Sequence, residues 1–116
     1  MEDNVFNIVE FLKQAVSIGA SDIHLHVGEH PVVRRDGKII KINIPPLTDD
    51  DIKKACDELV PVHFQERVKS MLDVDFAYEI KGIARFRVNV SRQLAKYAIV
   101  LRVIPYVIKK LSELHL

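Results

Sequence analysis

Three histidines lie within seven residues of one another in the stretch GASDIHLHVGEHPVVRRDG, residues 19–37. His24 and His26 are separated by one residue, which puts both side chains on the same face of a β-strand. Together with His30 they have the chemistry to bind a transition metal. The chain has no cysteine pair and no H-E-x-x-H motif, and Asp22 is the only acid on that face. The composition favours solvated or hydrogen-bonded histidines over metal ligands.

Arginines in two predicted strands form a second candidate site: Arg85, Arg87, Arg92 and Arg102. Arg85 and Arg87 alternate with apolar residues in ARFRVNVSR, so both project from one strand face. Arg102 is the only charge in YAIVLRVI, where a charge needs a partner or a ligand. Pairing with Asp75 and Glu79 of the preceding strand is the structural alternative, and it fits Arg85 better than Arg102. Guanidinium groups suit phosphate oxygens, so these arginines indicate a candidate anion site.

The usual catalytic motifs are missing from the sequence. RRDGK contains Gly37-Lys38, but Ile39 follows where a phosphate-binding loop requires Ser or Thr. The motifs G-x-G-x-x-G and G-x-S-x-G are also absent. The single cysteine, Cys56, lies on an apolar helix stripe and is interpreted as a small core residue. No catalytic set is visible.

Composition bounds the class of protein. The chain has 116 residues, the size of one domain, with 48% hydrophobic and 28% charged residues. A net charge of +1 gives no overall attraction to nucleic acid or anionic membranes. One cysteine excludes an intrachain disulfide, the acidic N-terminus is not a signal peptide, and no apolar run is long enough to span a bilayer. These features predict a soluble cytoplasmic domain.

Hydrophobic periodicity predicts an α+β fold. A helix over residues 5–18 has Asp3 or Asn4 as its cap and Gly19 after its end. Thr48 and Asp51 predict a capping box at the start of a second helix. The remaining predicted elements are a strand at 21–27, a hairpin turning at residues 36–37, a helix at 61–71 and three strands between residues 73 and 104. This order predicts a largely antiparallel sheet of about six strands flanked by three helices.

Several blocks resemble the N-terminal domain of PilT-type ATPases, motors of the secretion ATPase superfamily that retract type IV pili and drive twitching motility. The blocks are GASDIHLHVGEHPVVRRDGKI, IPPLTDD, DVDFAYEI-GIARFRVNV-RQ and LRVIP, and the resemblance covers residues from about 5 to the C-terminus. It implies a PAS-like domain at 1–105, with 106–116 starting a linker to a RecA-like ATPase domain. That domain carries the Walker elements, so we expect the 116-residue chain to be inactive alone although its parent hydrolyses ATP with Mg.

The resemblance also implies site residues and partners. Arg87 in RFRVNV and Arg102 in LRVIP match arginines that reach the nucleotide phosphates, with Arg85 and Arg92 as weaker candidates. His26 and HVGEH are not part of the family pattern, whereas His24 falls in the SDIH block.

In this family the domain packs on RecA-like domains of its own and neighbouring subunits in a homohexamer. The motor works in the cytoplasm against platform proteins of the inner membrane, without inserting in the membrane or binding nucleic acid. Rival interpretations are a free-standing PAS-like sensor of a small ligand and a metal-binding domain. The blocks favour a retraction motor over an assembly motor.

Overall fold

The computed structural model describes residues 6–70, 73–93 and 96–105. Three helices are present in this part of the chain: α1 (Ile8–Ser17), α2 (Asp49–Leu59) and α3 (Gln65–Lys69). A 3-10 turn, Val62–Phe64, leads into α3. The strands are β1 (Asp22–His26), β2 (Val32–Arg35), β3 (Lys38–Lys41), β4 (Val74–Ile80), β5 (Ala84–Gln93) and β6 (Lys96–Pro105).

The strands form one sheet in the order β3-β2-β1-β6-β5-β4, and every neighbouring pair is antiparallel. The predicted α+β architecture, six antiparallel strands with three helices, is therefore confirmed. Strand β6 lies at the centre, between β1 and β5. Its sequence is apolar on both faces except for Arg102, and the central position agrees with the prediction that this segment is a central strand.

Alternation along each strand divides the sheet into two faces. The helix-side face packs against the helices and contributes a large share of the core, including Ile23, Leu25, Val33, Val74, Phe86, Val88, Val90, Ile99 and Leu101. The open face carries the alternate residues: Asp22, His24, His26, Arg34, Arg85, Arg87, Asn89, Val100 and Arg102. Within the described ranges, every fully buried side chain is apolar, and no helix is long and apolar enough to span a bilayer.

Local sequence signals account for most element boundaries. Thr48 and Asp51 form the predicted capping box, with bonds of 3.0 and 2.9 Å between side chain and backbone. Asp36 and Gly37 both have positive φ, 52° and 77°, which is the geometry of a two-residue hairpin turn. Gly19 has φ of 86° directly after α1, as predicted for the residue that ends a helix.

Two helix predictions need correction. Helix α1 begins at Ile8 rather than residue 5, because Asn7 is extended and its side chain accepts the Glu10 N–H at 3.0 Å. Asp3 and Asn4 lie outside the described residues. The helix predicted from Pro61 is instead a 3-10 turn followed by the short α3, with Val68 buried. Its predicted end at Met71 and the tail at 106–116 also fall outside the described ranges.

Candidate functional site

The open face carries a row of residues that crosses all six strands at the same level, with charged side chains on the four inner strands. Strand register places one residue of each strand directly opposite the next. From β3 to β4 the row is Ile39, Arg34, Asp22, Arg102, Arg87 and Ala77. We call these residues the charged row. Three arginines and one aspartate leave it with two net positive formal charges.

One contact in the row is an ion pair between β1 and β6. Arg102 Nε donates to Asp22 Oδ1 at 3.3 Å, and Ser21 Oγ donates to Asp22 Oδ2 at 2.9 Å. The arginine side chain is 73% exposed and the aspartate side chain 19% exposed. The carboxylate is therefore held near the sheet surface while the guanidinium extends into solvent.

Arg87 and Arg102 face each other directly across β5 and β6. Like charges in directly opposed positions destabilise a sheet. The other cross-strand neighbour of Arg87 is Ala77, so no carboxylate lies directly opposite it in either adjacent strand. The carboxylate residues Asp75 and Glu79 lie diagonally from Arg87 on β4. An anion bound between the two guanidinium groups would further relieve the repulsion between them.

A shallow depression surrounds the Arg87–Arg102 pair, lined by Asp22, Asp75, Arg87, Val88, Asn89, Val100 and Arg102. Its acidic members already have partners: Asp22 binds Arg102, and Asn89 Nδ2 donates to Asp75 Oδ1 at 3.1 Å. The positive charge of Arg102 offsets the charge of Asp22, whereas Asp75 keeps its negative charge because its partner Asn89 is neutral. The arrangement suits the binding of phosphate oxygens, for which arginine is the preferred side chain.

The structure separates the four candidate arginines. Arg85 shares the open face with Arg87 and Arg102, and the strand register places it directly opposite Glu79. Arg92 has the same parity along β5 as Phe86 and is therefore on the helix-side face.

The guanidinium of Arg92 lies 5.2 Å from the centre of the Tyr97 ring. Its Nε is buried, with no hydrogen-bond partner in the described part of the chain. Arg92 thus lies on the opposite face of the sheet from the other three arginines, although it follows Arg85 and Arg87 in the same strand.

Two members of the charged row were not identified as site residues from the sequence. These are Arg34 and Asp22: Arg34 lies opposite Asp22 on β1, and Asp22 in turn lies opposite Arg102 on β6. The signal for Arg34 was available, because the Asp36-Gly37 turn fixes the register of β2 and β3 and so the face of each residue. The partnership of Asp22 with Arg102 joins residues 80 positions apart and has no local signal.

The histidines do not converge on one point. The rings of His24 and His26 are nearly parallel, with centres 6.3 Å apart on the open face. His30 instead forms a hydrogen bond through Nδ1 to the Ile44 carbonyl. Across residues 6–70, 73–93 and 96–105, no group of three His, Cys, Asp or Glu side chains could hold a metal ion.

Cys56 is 5% exposed in the core. Burial, and secondarily the negative charge of Asp57, raise the pKa of its thiol to about 12. A thiol with so high a pKa is a poor nucleophile at neutral pH, which agrees with its interpretation as a small core residue.

Comparisons with known proteins give the family. The chain is 34% identical over 108 residues to the type IV pilus retraction ATPase PilT of Pseudomonas aeruginosa, covering 93% of the chain and 31% of that relative. A crystal structure of the pilus retraction motor PilT with bound ADP superposes with a TM-score of 0.80 at 36% identity. This chain has the sequence and fold of the N-terminal domain of PilT-type ATPases.

A second ATPase has a domain similar to this PilT-type domain. The ATPase DotB of Legionella pneumophila superposes with a TM-score of 0.77 at 28% identity. The two superpositions cover 96% and 97% of the chain and 33% of each solved structure. The PilT-type domain thus spans about a third of the length of these relatives. No protein-family model matches the chain.

Proposed function

We propose that this PilT-type domain is the N-terminal part of an ATP-driven motor that retracts type IV pili, and that Arg87 and Arg102 contact the nucleotide phosphates. The observation that carries the proposal is the direct opposition of these two arginines on the open face. Nucleotide phosphates supply negative charge to such a pair, and arginines stabilise the charge that develops during phosphoryl transfer. The bound ADP in the PilT crystal structure supports nucleotide as the ligand class.

The domain does not catalyse the reaction by itself in this proposal. A RecA-like domain joined through a linker that starts at residues 106–116 supplies the phosphate-binding loop and the magnesium ligands. The PAS-like domain, residues 1–105, supplies arginines and a packing surface for RecA-like domains of its own and neighbouring subunits in a homohexamer. The motor acts in the cytoplasm on platform proteins of the pilus machinery at the inner membrane.

The two other arginines have secondary roles. Arg85 stabilises the sheet opposite Glu79, and Arg92 packs on Tyr97 on the opposite side from the charged row. A sensor function lacks comparable support. A small-ligand pocket in the core requires a polar side chain to orient the ligand, whereas the fully buried side chains of the described ranges are all apolar.

Steady-state ATP turnover in the full-length protein tests the proposal. Arg87→Ala and Arg102→Ala should each lower turnover about a hundredfold or more, the scale for loss of a group that stabilises transition-state charge. Arg85→Ala is the matched control, because it removes an arginine from the same strand and face but lies opposite a carboxylate. Near wild-type turnover in Arg87→Ala and Arg102→Ala would exclude the phosphate role.

A further inference from the structure

We infer that Asp22 is a positioning residue for Arg102: it fixes the guanidinium through Nε and leaves the two terminal nitrogens to a phosphate group. The inference rests on the proposed function, since it assigns to Asp22 a part in the same nucleotide site. It adds to that function a residue that never touches the nucleotide itself.

The carboxylate of Asp22 is anchored more firmly than the arginine that it holds. Ser21 Oγ donates to Asp22 Oδ2 at 2.9 Å and lies 3.3 Å from the Arg34 carbonyl oxygen. The Ser21 backbone N–H donates to the same carbonyl at 2.7 Å. Asp22 is thereby tied to the β1–β2 ladder, and at 19% exposure it is shielded from water far better than Arg102 at 73%.

The contact with Asp22 uses one of the three guanidinium nitrogens. Arg102 Nε lies 3.3 Å from Asp22 Oδ1, and no other hydrogen bond or ion pair of the Arg102 side chain is formed with the described residues. The guanidinium group has five N–H donors, four of them on the terminal nitrogens. One N–H from each terminal nitrogen forms the end-on edge of the guanidinium, which can bind two phosphate oxygens at once.

The electrostatics of the charged row support the same role. An isolated arginine at position 102 would be repelled by Arg87, its direct neighbour on β5. Asp22 lies on the opposite side of Arg102, on β1. Its negative charge attracts the guanidinium toward β1, so that the Arg102 side chain stays in the row beside Arg87 with less rotamer freedom to lose when a phosphate binds.

The test uses ATP turnover by the full-length protein. Asp22→Asn keeps the size of the side chain and an oxygen for Ser21 but removes the charge. We expect it to lower kcat by up to about a hundredfold, the scale for misplacement of a group that aligns a reacting centre. Ser21→Ala leaves the ion pair and loosens only its anchor, so it should give a smaller loss in the same direction.

A double-mutant cycle distinguishes positioning from a general structural effect. In an Arg102→Ala background, Asp22→Asn should cause no further loss of kcat, because the residue acts through Arg102. Asp50→Asn is the matched control: it makes the same change at an exposed aspartate in the first turn of α2, on the other side of the sheet from the charged row. It should leave kcat near the wild-type value.

Each result separates this inference from the proposed function. If Arg102→Ala leaves turnover unchanged, the phosphate role of Arg102 is wrong and the inference fails with it. If Arg102→Ala impairs turnover but Asp22→Asn does not, or the two losses multiply in the cycle, the positioning role is overturned while the proposed function stands. A lower KM for ATP in Asp22→Asn with unchanged kcat would show that Asp22 competes with phosphate for Arg102. That result would also overturn the positioning role.

Discussion

The repulsion between Arg87 and Arg102 can be measured in the domain alone. The two residues are directly opposite each other in the β5–β6 ladder. We expect a double-mutant cycle built from Arg87→Gln and Arg102→Gln to give a repulsive coupling energy, because glutamine removes the charge and keeps a polar side chain. The cycle cancels the contacts that each arginine makes with its other neighbours, so the coupling reports on this pair.

The size of the coupling follows from separation and exposure. For guanidinium groups on the order of 7 Å apart, Coulomb's law gives about 0.6 kcal/mol in bulk water and about 2.4 kcal/mol at an effective dielectric constant of 20. Arg102 is 73% exposed, so the pair lies close to the water limit. We therefore expect a coupling of about 0.5–1 kcal/mol in low salt, within the range of measured cross-strand pairs.

Urea unfolding of the four proteins provides the measurement, in buffers of about 0.01 M and 1 M salt. The Debye length falls from about 30 Å to about 3 Å between these conditions, so the repulsion should disappear in the second. The corresponding cycle for Asp22 and Arg102, whose side chains are in contact, is a control of opposite sign. A coupling between the arginines that is attractive, absent in low salt or unaffected by salt would refute the claim that the open face carries unbalanced positive charge.

Three further predictions concern the 116-residue chain. Micromolar zinc should leave the melting temperature unchanged, because the histidines among the described residues do not form a metal site. Zinc bound at 100 times its Kd would instead stabilise the folded state by about 2.7 kcal/mol. A rise in melting temperature that His26→Ala abolishes would therefore reveal a metal site. The chain should hydrolyse no ATP above background, and magnesium-dependent turnover by the pure chain would overturn its assignment as a non-catalytic domain. The folded state holds the Cys56 proton more tightly than the unfolded state between the ordinary pKa of 9.0 and about 12. The free energy of unfolding should therefore fall as pH rises through that window, by at most about 1.4 kcal/mol per pH unit. Cys56→Ala should make the free energy of unfolding fall less steeply with pH. Some fall should remain, because burial and the charge of Glu58 also raise the pKa of Tyr78. A slope in Cys56→Ala equal to that of the wild type would contradict the prediction.

The helices and strands could be predicted from the sequence because short-range interactions largely determine them. The alternation of apolar and polar residues decides which face each strand buries, and the Asp36-Gly37 turn fixes one hairpin register. The alternation of faces along β5 could also have predicted the position of Arg92. Position 92 has the same parity as Phe86 in β5, which places Arg92 on the helix side rather than beside Arg87.

The site itself could be predicted only in part. The sequence identified Arg87 on the polar face of its strand and Arg102 as the lone charge in an apolar strand, but their opposition depends on the pairing of β5 with β6. The contact of Asp22 with Arg102 depends on the pairing of β1 with β6, which no turn between them specifies. The start of α1 was predicted too early because the apolar periodicity extends before Ile8, where the helix begins. Asn7 caps the helix in place of the predicted Asp3 or Asn4.

The pairing of β1 with β6 has a consequence for how the domain folds. Strands β1–β3 and β4–β6 are each joined in chain order, and the two groups meet only along this ladder within the sheet. Closing a loop of 80 residues, the separation of Asp22 and Arg102, costs about 4 kcal/mol of chain entropy in the length-dependent part alone. Long-range pairing of this kind slows folding relative to the formation of the local hairpins.

The Asp22–Arg102 contact is therefore a reporter of the last long-range step in assembling the sheet. An opening that separates the two groups of strands would break this contact while leaving each group's own ladders intact. Native-state hydrogen exchange should reveal such an opening as joint exchange of the amides that bond β1 to β6. The charged row exists only while that ladder is closed, so the population of closed molecules sets an upper limit on the fraction competent to bind a phosphate there.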